Sequence, residues 1–494
     1  MANTGESNIV MFPFMAKGHI IPFIALALEI QQKRGYTITF VNTPQNIIYI
    51  KSSIPQTQNS SSSFRFLEIP FSSSYHAFAL EIENTDVLPF NLIFPFVQAS
   101  YSLKDSFRSL FCGLVKKQPD NPPLCIISDI FFGWCAEIAH EFGVFHAIFS
   151  VIGAFGMGVY YSSFLNLPHK KTNSSEFTLP DFPEASRIHI SQLPYSIHEA
   201  NGSNSISEYV QKVLPAWKDS DAILFNTVEE IDQIGLLYFR RKLGRPVWGI
   251  GPILLTDRAG KQTGITKEFC MKWLKTKPTK SVLYISFGSQ NTLLPSNMMQ
   301  LAVALDKSGK NFIWVVRPPI GHNIDSEFEA DKWLPEGFES RINEENRGLI
   351  VRKWAPQLEI LSSKATAAFV TQCGWNSALE SLGNGVPLIG WPMAAEQCFT
   401  CKYLEEELGV CVEVARGLAC EFGNEHILEK IKMVMSGSDK GNDMRRKACE
   451  AKQLIQNATK VEDGFKGSSA IAVGEFFNAA LLKKEEAKLK SLKI

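Results

Sequence analysis

Short apolar runs bounded by polar turns alternate along this chain with longer segments whose apolar residues recur every three or four positions. Ile9-Val10-Met11-Phe12 is a run of the first kind and fits a buried strand. After a loop at 13–18, residues 20–33 place Phe23, Leu26, Ala27 and Ile30 on one helical stripe. Gly35 stands where a helix C-cap favours glycine, and Thr37-Ile38-Thr39-Phe40-Val41 opens the next strand. Together they make a βαβ unit. Further strands are predicted at 124–129 and 222–226, with a helix at 130–141. The apolar span 145–167 holds His146, Gly153, Gly156 and Gly158, and reads as a strand, a glycine-rich turn and a core helix rather than a membrane span.

The alternation pauses after Val247-Trp248-Gly249-Ile250-Gly251-Pro252, and the polar stretch 256–266 reads as a linker. It resumes with a strand opening 281–289, a helix at 296–307 and a strand at 311–317. An acidic irregular insertion follows at 321–332, then strands at 349–352, 367–371 and 386–390. The Ser/Gln-rich stretch 52–63 reads as a mobile loop, and 479–494 as a charged helical tail. Strands alternating with helices in two halves predict an α/β fold of two doubly wound domains, and 494 residues suffice for both. Such sheets bind ligands beyond the carboxyl ends of their strands. The loops after Phe12, Phe287 and Thr371 all lie at such ends.

Fifty basic and fifty acidic residues give zero formal net charge, which is not the footprint of a nucleic-acid or acidic-membrane binder. The first residues lack a basic-then-apolar leader pattern. The ten cysteines are scattered, as free thiols of a reducing compartment would be, so a cytoplasmic location is expected. Cys398-Phe399-Thr400-Cys401 has CxxC spacing without a second CxxC or a histidine pair, and reads as helix packing rather than a zinc site.

His19 begins the first predicted helix, whose N-terminus disfavours the charged imidazolium and keeps the ring available as a base. Asp129 ends another predicted strand of the same half, so both side chains can point into one crevice. A carboxylate on one ring nitrogen fixes the tautomer and stabilises the imidazolium; alone, Asp129 would read as a helix cap. Asp219-Ser220-Asp221 has the DxD spacing of metal-dependent transferases, but it lies in a polar turn before a strand. A GxGxxG fingerprint is absent: Pro252 follows Gly249-Ile250-Gly251, and Gly153, Gly156 and Gly158 are wrongly spaced. Asn376-Ser377, after Cys373-Gly374, opens a predicted helix and offers an anion site, and Ser289 after Gly288 repeats the device.

The segment from Trp354-Ala355-Pro356-Gln357, through Phe369-Val370-Thr371-Gln372-Cys373-Gly374-Trp375-Asn376-Ser377 and Glu380, to Trp391-Pro392-Met393-Ala394-Ala395-Glu396-Gln397 spans 44 residues. It resembles, almost residue for residue, the donor-binding box of plant family-1 UDP-glycosyltransferases, and the likeness extends over nearly the whole chain. The resemblance implies a GT-B architecture, two Rossmann-like domains facing a central cleft. It implies an acceptor domain at 1–250, a linker at 251–280, a UDP-sugar domain at 281–467, and a helix from 468 that returns to the first domain. It further implies that Trp354 stacks on uracil, with Ala355 binding the uracil edge through its backbone. Gln357 and Glu380 would hold the ribose, while Asn376, Ser377 and Ser289 would bind the phosphates. Trp375, Glu396 and Gln397 would face the hexose, and Gly374 would set the shape of the loop. Gln372 stands where the family usually has a phosphate-contacting histidine; its amide still donates but carries no charge.

The function so implied is inverting transfer from UDP-glucose to a hydroxyl of a lipophilic small molecule such as a flavonoid, another phenolic or a terpenoid. His19 would act as base and Asp129 as its orienting partner, with UDP-sugar as co-substrate and neither cofactor nor metal required. Phe14, Phe94, Phe131, Phe155 and Met393 could line the acceptor pocket. A monomer without nucleic-acid partner or stable membrane insertion is expected. Two other classes stay open at this point: a nucleotide-sugar-binding protein with little turnover, motivated by Gln372, and an NAD-dependent sugar-modifying enzyme, opposed by the missing GxGxxG.

Overall fold

A computed structural model of the chain describes residues 8–55, 63–71, 82–255, 264–290, 292–322, 326–417 and 422–491. The loop expected at 52–63, the linker at 256–266, the insertion at 321–332 and the tail at 479–494 therefore lie partly outside the described residues.

The first sheet holds β1 (Asn8–Phe12), β2 (Thr37–Asn42), β3 (Phe64–Glu68), β4 (Cys125–Asp129), β5 (Phe145–Ser150), β6 (Ala222–Phe225) and β7 (Val247–Gly249). Their spatial order is 3-2-1-4-5-6-7. β1 is wholly buried, because Ile9 pairs in parallel with Ile38 on one side and Cys125 on the other, and helices cover both faces of such a sheet. The helix Lys17–Arg34 follows and ends at Gly35, whose φ of 71° returns its N–H to the Gln31 carbonyl. Strand order reverses between β1 and β4, so the crevice at their carboxyl ends is a topological switch point.

The second sheet holds β8 (Val282–Ser286), β9 (Asn311–Val316), β10 (Gly348–Arg352), β11 (Thr366–Thr371), β12 (Leu388–Gly390) and β13 (Cys411–Glu413). The order is 10-9-8-11-12-13, all parallel. Its switch point lies between β8 and β11.

Packing divides the chain into one unit of Met1–Ala154, Glu199–Gly260 and Ala458–Ile494, and a second of Phe155–His198 and Lys261–Asn457. The linear boundary at 250 puts 155–198 in the first half, whereas its contacts put it in the second unit. Phe155 stacks on Tyr403 at 4.4 Å and 22°. Gly156 lies so close to the helix Gln397–Glu406 that a Cβ would meet Thr400 Oγ1 at 2.7 Å. In the first unit, the helix Ser468–Ser491 sends Phe476, Phe477 and Ala480 into the same core as Ile9 and Ile38. Lys483 Nζ bonds both oxygens of Asp221 at 2.7 and 2.6 Å, fastening the helix to the turn before β6.

The helix expected at 130–141 is broken into a 3-10 turn, Ile130–Phe132, and a helix, Cys135–Glu141. Asp129 Oδ1 draws the Phe131 N–H into that turn at 3.3 Å. Strand β3 escaped the sequence pattern because its residues are mixed in burial rather than alternating. Among the described residues, no helix is long and apolar enough to cross a membrane.

Candidate active site

At the first switch point, His19 Nδ1 lies 2.8 Å from Asp129 Oδ2, across 110 positions of sequence. Asp129 is completely buried, and the His19 side chain keeps 16 % of its exposure. The short loop after β1 delivers His19 in the first turn of its helix, where no side chain caps the N-terminus. Asp129 leaves the end of β4 and uses its two oxygens differently. One caps the 3-10 turn and the other meets the imidazole. The neutral tautomer that donates from Nδ1 to this carboxylate carries its lone pair on Nε2, which is the requirement for a general base.

Aromatic rings flank the imidazole. Phe14 approaches His19 edge-on at 5.5 Å, Phe131 lies 5.7 Å away, and the two phenyl rings are 4.6 Å apart. Phe96, which the sequence reading passed over, packs on Phe14 at 6.2 Å. Phe94 meets Tyr209 instead, at 5.9 Å. Phe155 and Met393 belong to the second unit, and both are buried in its packing. Of the five aromatic or apolar residues expected around an acceptor, the structure thus gathers Phe14 and Phe131 at the imidazole.

The box residues collect at the second switch point, on the ends of β8, β10 and β11. Gln357 is the hub. Its Nε2 donates to Glu380 Oε2 at 2.7 Å and to Ser377 Oγ at 3.3 Å. Its Oε1 accepts from Tyr284 Oη at 3.0 Å. Glu380 is buried on the inner face of the helix Trp375–Gly383. That helix begins at Gly374 without a side-chain cap, next to Asn376 and Ser377, so its first N–H groups remain suited to an anion.

Gln372 is buried, and its Oε1 accepts from Thr371 Oγ1 at 2.9 Å. Its Nε2 is held against two glycines: a Cβ would lie 2.4 Å from it at Gly288 and 3.2 Å at Gly374. Gly288 has φ 78°, so both conformation and space demand glycine there. Ser289 follows on the same loop and accepts at its carbonyl from Arg317 Nη1. The Arg317 guanidinium also sits 5.3 Å over the Trp354 ring. Arg317, just past the end of β9, thereby ties the loop of Ser289 to Trp354. A basic residue at a strand's carboxyl end beside the switch point was the sequence signal for it.

The loop Trp391-Pro392-Met393-Ala394-Ala395 is fixed by Gln397, whose Oε1 accepts from Met393 N at 3.1 Å and Ala394 N at 3.0 Å. Glu396 immediately precedes the helix that starts at Gln397, and both Glu396 and Trp375 are buried. Ala355 is buried next to the half-buried Trp354.

A family model described as UDP-glucoronosyl and UDP-glucosyl transferase matches residues 260–454. The chain is 48% identical to UDP-glycosyltransferase 92A1 of Arabidopsis thaliana, over 97% of this chain and 98% of that protein. It is 38% identical to crocetin glucosyltransferase 3 of Crocus sativus, over 89% and 92%. The fold is similar to that of Glycyrrhiza uralensis UGT73P12, solved with glycyrrhetinic acid 3-O-monoglucuronide. That likeness has a TM-score of 0.82 at 27% identity, covering 98% of both chains.

Proposed function

The chain belongs to the UDP-glucoronosyl and UDP-glucosyl transferase family and is a UDP-glycosyltransferase of GT-B fold, and from that premise we propose how its residues transfer glucose from UDP-glucose to a hydroxyl of a lipophilic small molecule. The observation that carries the mechanism is the 2.8 Å bond between His19 Nδ1 and buried Asp129. His19 Nε2 takes the proton of the acceptor hydroxyl while the oxygen attacks the anomeric carbon. The bond from that carbon to the UDP oxygen breaks in the same step, which inverts the configuration. Asp129 stabilises the imidazolium that forms.

Trp354 stacks on uracil and Ala355 meets its edge through the backbone. Gln357 and Glu380, only 2.7 Å apart, hold the two ribose hydroxyls as one bidentate pair. Asn376, Ser377, Ser289 and the Gln372 amide receive the diphosphate, aided by the uncapped helix start at Gly374. Trp375, Glu396 and Gln397 address the hexose. In this reading the first unit supplies the base and the second holds the donor.

Phe14 and Phe131 provide an apolar surface beside the base, which suits a flavonoid, another phenolic or a terpenoid. The enzyme is proposed to work as a cytoplasmic monomer. The nine described cysteines are all free thiols, the state a reducing compartment maintains.

The test is His19→Ala. Removing the base should lower turnover by ~10²–10⁴-fold while UDP affinity measured by calorimetry stays near that of the parent. Ordinary turnover by this variant on an alcohol acceptor would refute the assignment.

A further inference from the structure

Behind the donor loop, three thiols from three elements converge. Cys373 follows β11, Cys401 lies on the helix Gln397–Glu406 and Cys411 opens β13. All are buried, and their sulfurs lie within 4.8 Å of one another. Cys401 Sγ and Cys411 Sγ are 3.9 Å apart. All three sulfurs pack against the backbone of Gly390, where only glycine leaves them room. A Cβ built there would lie 2.3 Å from Cys401 Sγ, 2.9 Å from Cys373 Sγ and 3.0 Å from Cys411 Sγ. Three sulfurs held ~2.3 Å from one pyramidal centre would be about 3.5 Å apart, so these sulfurs must draw in from the 3.9 Å of Cys401 and Cys411, and from no more than 4.8 Å overall, to make a three-coordinate site. The CxxC pair does not make it: Cys401 turns to Cys373 and Cys411, and Cys398 is outside the group.

We propose that Cys373, Cys401 and Cys411 form a trithiol site for trivalent arsenic, taken up as arsenite, and that its occupation disables the donor loop. Two features choose this centre over other thiophilic ions. First, among the described residues the cluster offers three soft ligands and no fourth, which suits a centre satisfied by three sulfurs. Second, the site is buried, and a net charge there would be strongly disfavoured. Three thiolates around a divalent or monovalent cation leave a buried anion, whereas three around trivalent arsenic leave a neutral product. The exchange balances. Three S–H and three As–OH bonds break, three As–S bonds form, three waters leave, and no electron is transferred.

The link to the donor loop is covalent. Cys373 lies between Gln372 and Gly374 and already carries a left-handed φ of 62°. Drawing its sulfur toward a common centre shifts the loop on which the amide of Gln372 and the start of the following helix depend. This consequence rests on the donor-site reading above; arsenic binding itself does not.

The full-length reduced protein should be titrated with sodium arsenite, desalted, and assayed for arsenic and for remaining thiols. One arsenic per chain is expected, with three thiols lost and all restored by 2,3-dimercaptopropanol. Arsenic-edge X-ray absorption on the same sample should find three sulfur neighbours. Cys401→Ala and Cys411→Ala should each weaken arsenite binding by about 10²-fold or more, because the third thiol acts as an intramolecular ligand. Their turnover without arsenite should match the parent's, and Cys449→Ala, at an exposed thiol, should bind as the parent does. The site is rejected if absorption finds two sulfurs or fewer, if both inner variants bind like the parent, or if the chain retains zinc but not arsenite. Full binding with unchanged UDP affinity and turnover would overturn the control of the donor loop alone.

Discussion

Asp129→Asn separates the role of charge from the role of shape at the proposed base. The carboxylate is completely buried, with Oδ1 accepting from Phe131 N at 3.3 Å and Oδ2 bonded to His19 Nδ1 at 2.8 Å. Asparagine has nearly the same volume and keeps one carbonyl oxygen. If that oxygen serves Phe131 N, the amide nitrogen faces His19 Nδ1, which must then accept. The ring proton moves to Nε2, where the reaction needs a lone pair. The opposite amide orientation sets two donors against each other at the Phe131 position, a penalty of about 1–3 kcal/mol, so the unproductive tautomer dominates. Either way the imidazolium formed during transfer loses its counter-charge. The expected fall in kcat is ~10²–10⁴-fold, or about 3–5 kcal/mol at ~1.4 kcal/mol per decade. The assay is steady-state UDP release with a phenolic acceptor at saturating UDP-glucose, run beside calorimetry with UDP. Donor affinity should be unchanged, since the altered atoms lie in the first unit and the donor residues in the second. Turnover within a few-fold of the parent, in a variant that binds UDP normally, would refute the orientation argument.

Trp354→Ala removes a proposed stacking platform worth ~1–3 kcal/mol, and Glu380→Ala removes the carboxylate 2.7 Å from Gln357; calorimetry should show weaker UDP binding for each, and unchanged affinity in both folded variants would move the donor site elsewhere. Gln372→His should tighten UDP-glucose binding by about 1 kcal/mol or less, because a charged donor bonds phosphate more strongly than an amide. The gain should grow as pH falls through the imidazole range, and equal or weaker binding at the lower pH would show instead that the pocket between Gly288 and Gly374 is shaped to the amide. Burial holds the His146 ring, bonded to Ser128 and Ser220, near a pKa of about 3 against the ordinary 6.5. The unfolded chain therefore takes up a proton that the folded one refuses, so stability should fall as pH drops from about 6.5 toward 3, by up to ~1.4 kcal/mol per pH unit. Urea midpoints across that range should show this slope, and His146→Gln should flatten it; parallel profiles would contradict the assignment.

Much of this arrangement is legible in the sequence because the two folding periods are clean. Apolar runs such as Ile9-Val10-Met11-Phe12 are buried on both faces, so strand ends can be located and strand-end chemistry read from them. His19 and Asp129 could be paired across 110 positions for that reason. Other features depend on facing directions that periodicity does not encode. The helix Ala154–Asn166 carries few polar residues, so its pattern did not mark which unit it would join. Phe155 and Phe14 are alike as residues, yet one stacks on Tyr403 and the other meets the His19 ring edge-on. The convergence of Cys373, Cys401 and Cys411 joins a strand end, a helix and a neighbouring strand, which no local spacing reveals. Arg317 is similar, since its value comes from reaching both Trp354 and Ser289.

Direct transfer of glucose from the nucleotide to the acceptor oxygen inverts the anomeric carbon, and the product's linkage records that inversion. The protein should be incubated with UDP-glucose labelled at the anomeric carbon and a set of phenolic and terpenoid acceptors. NMR would read the linkage while released UDP is counted. A β-linked glucoside is expected for at least one acceptor, one per UDP released, with formation abolished in His19→Ala. An α-linked product, or UDP release without any glucoside across the acceptor set, would contradict direct transfer with inversion.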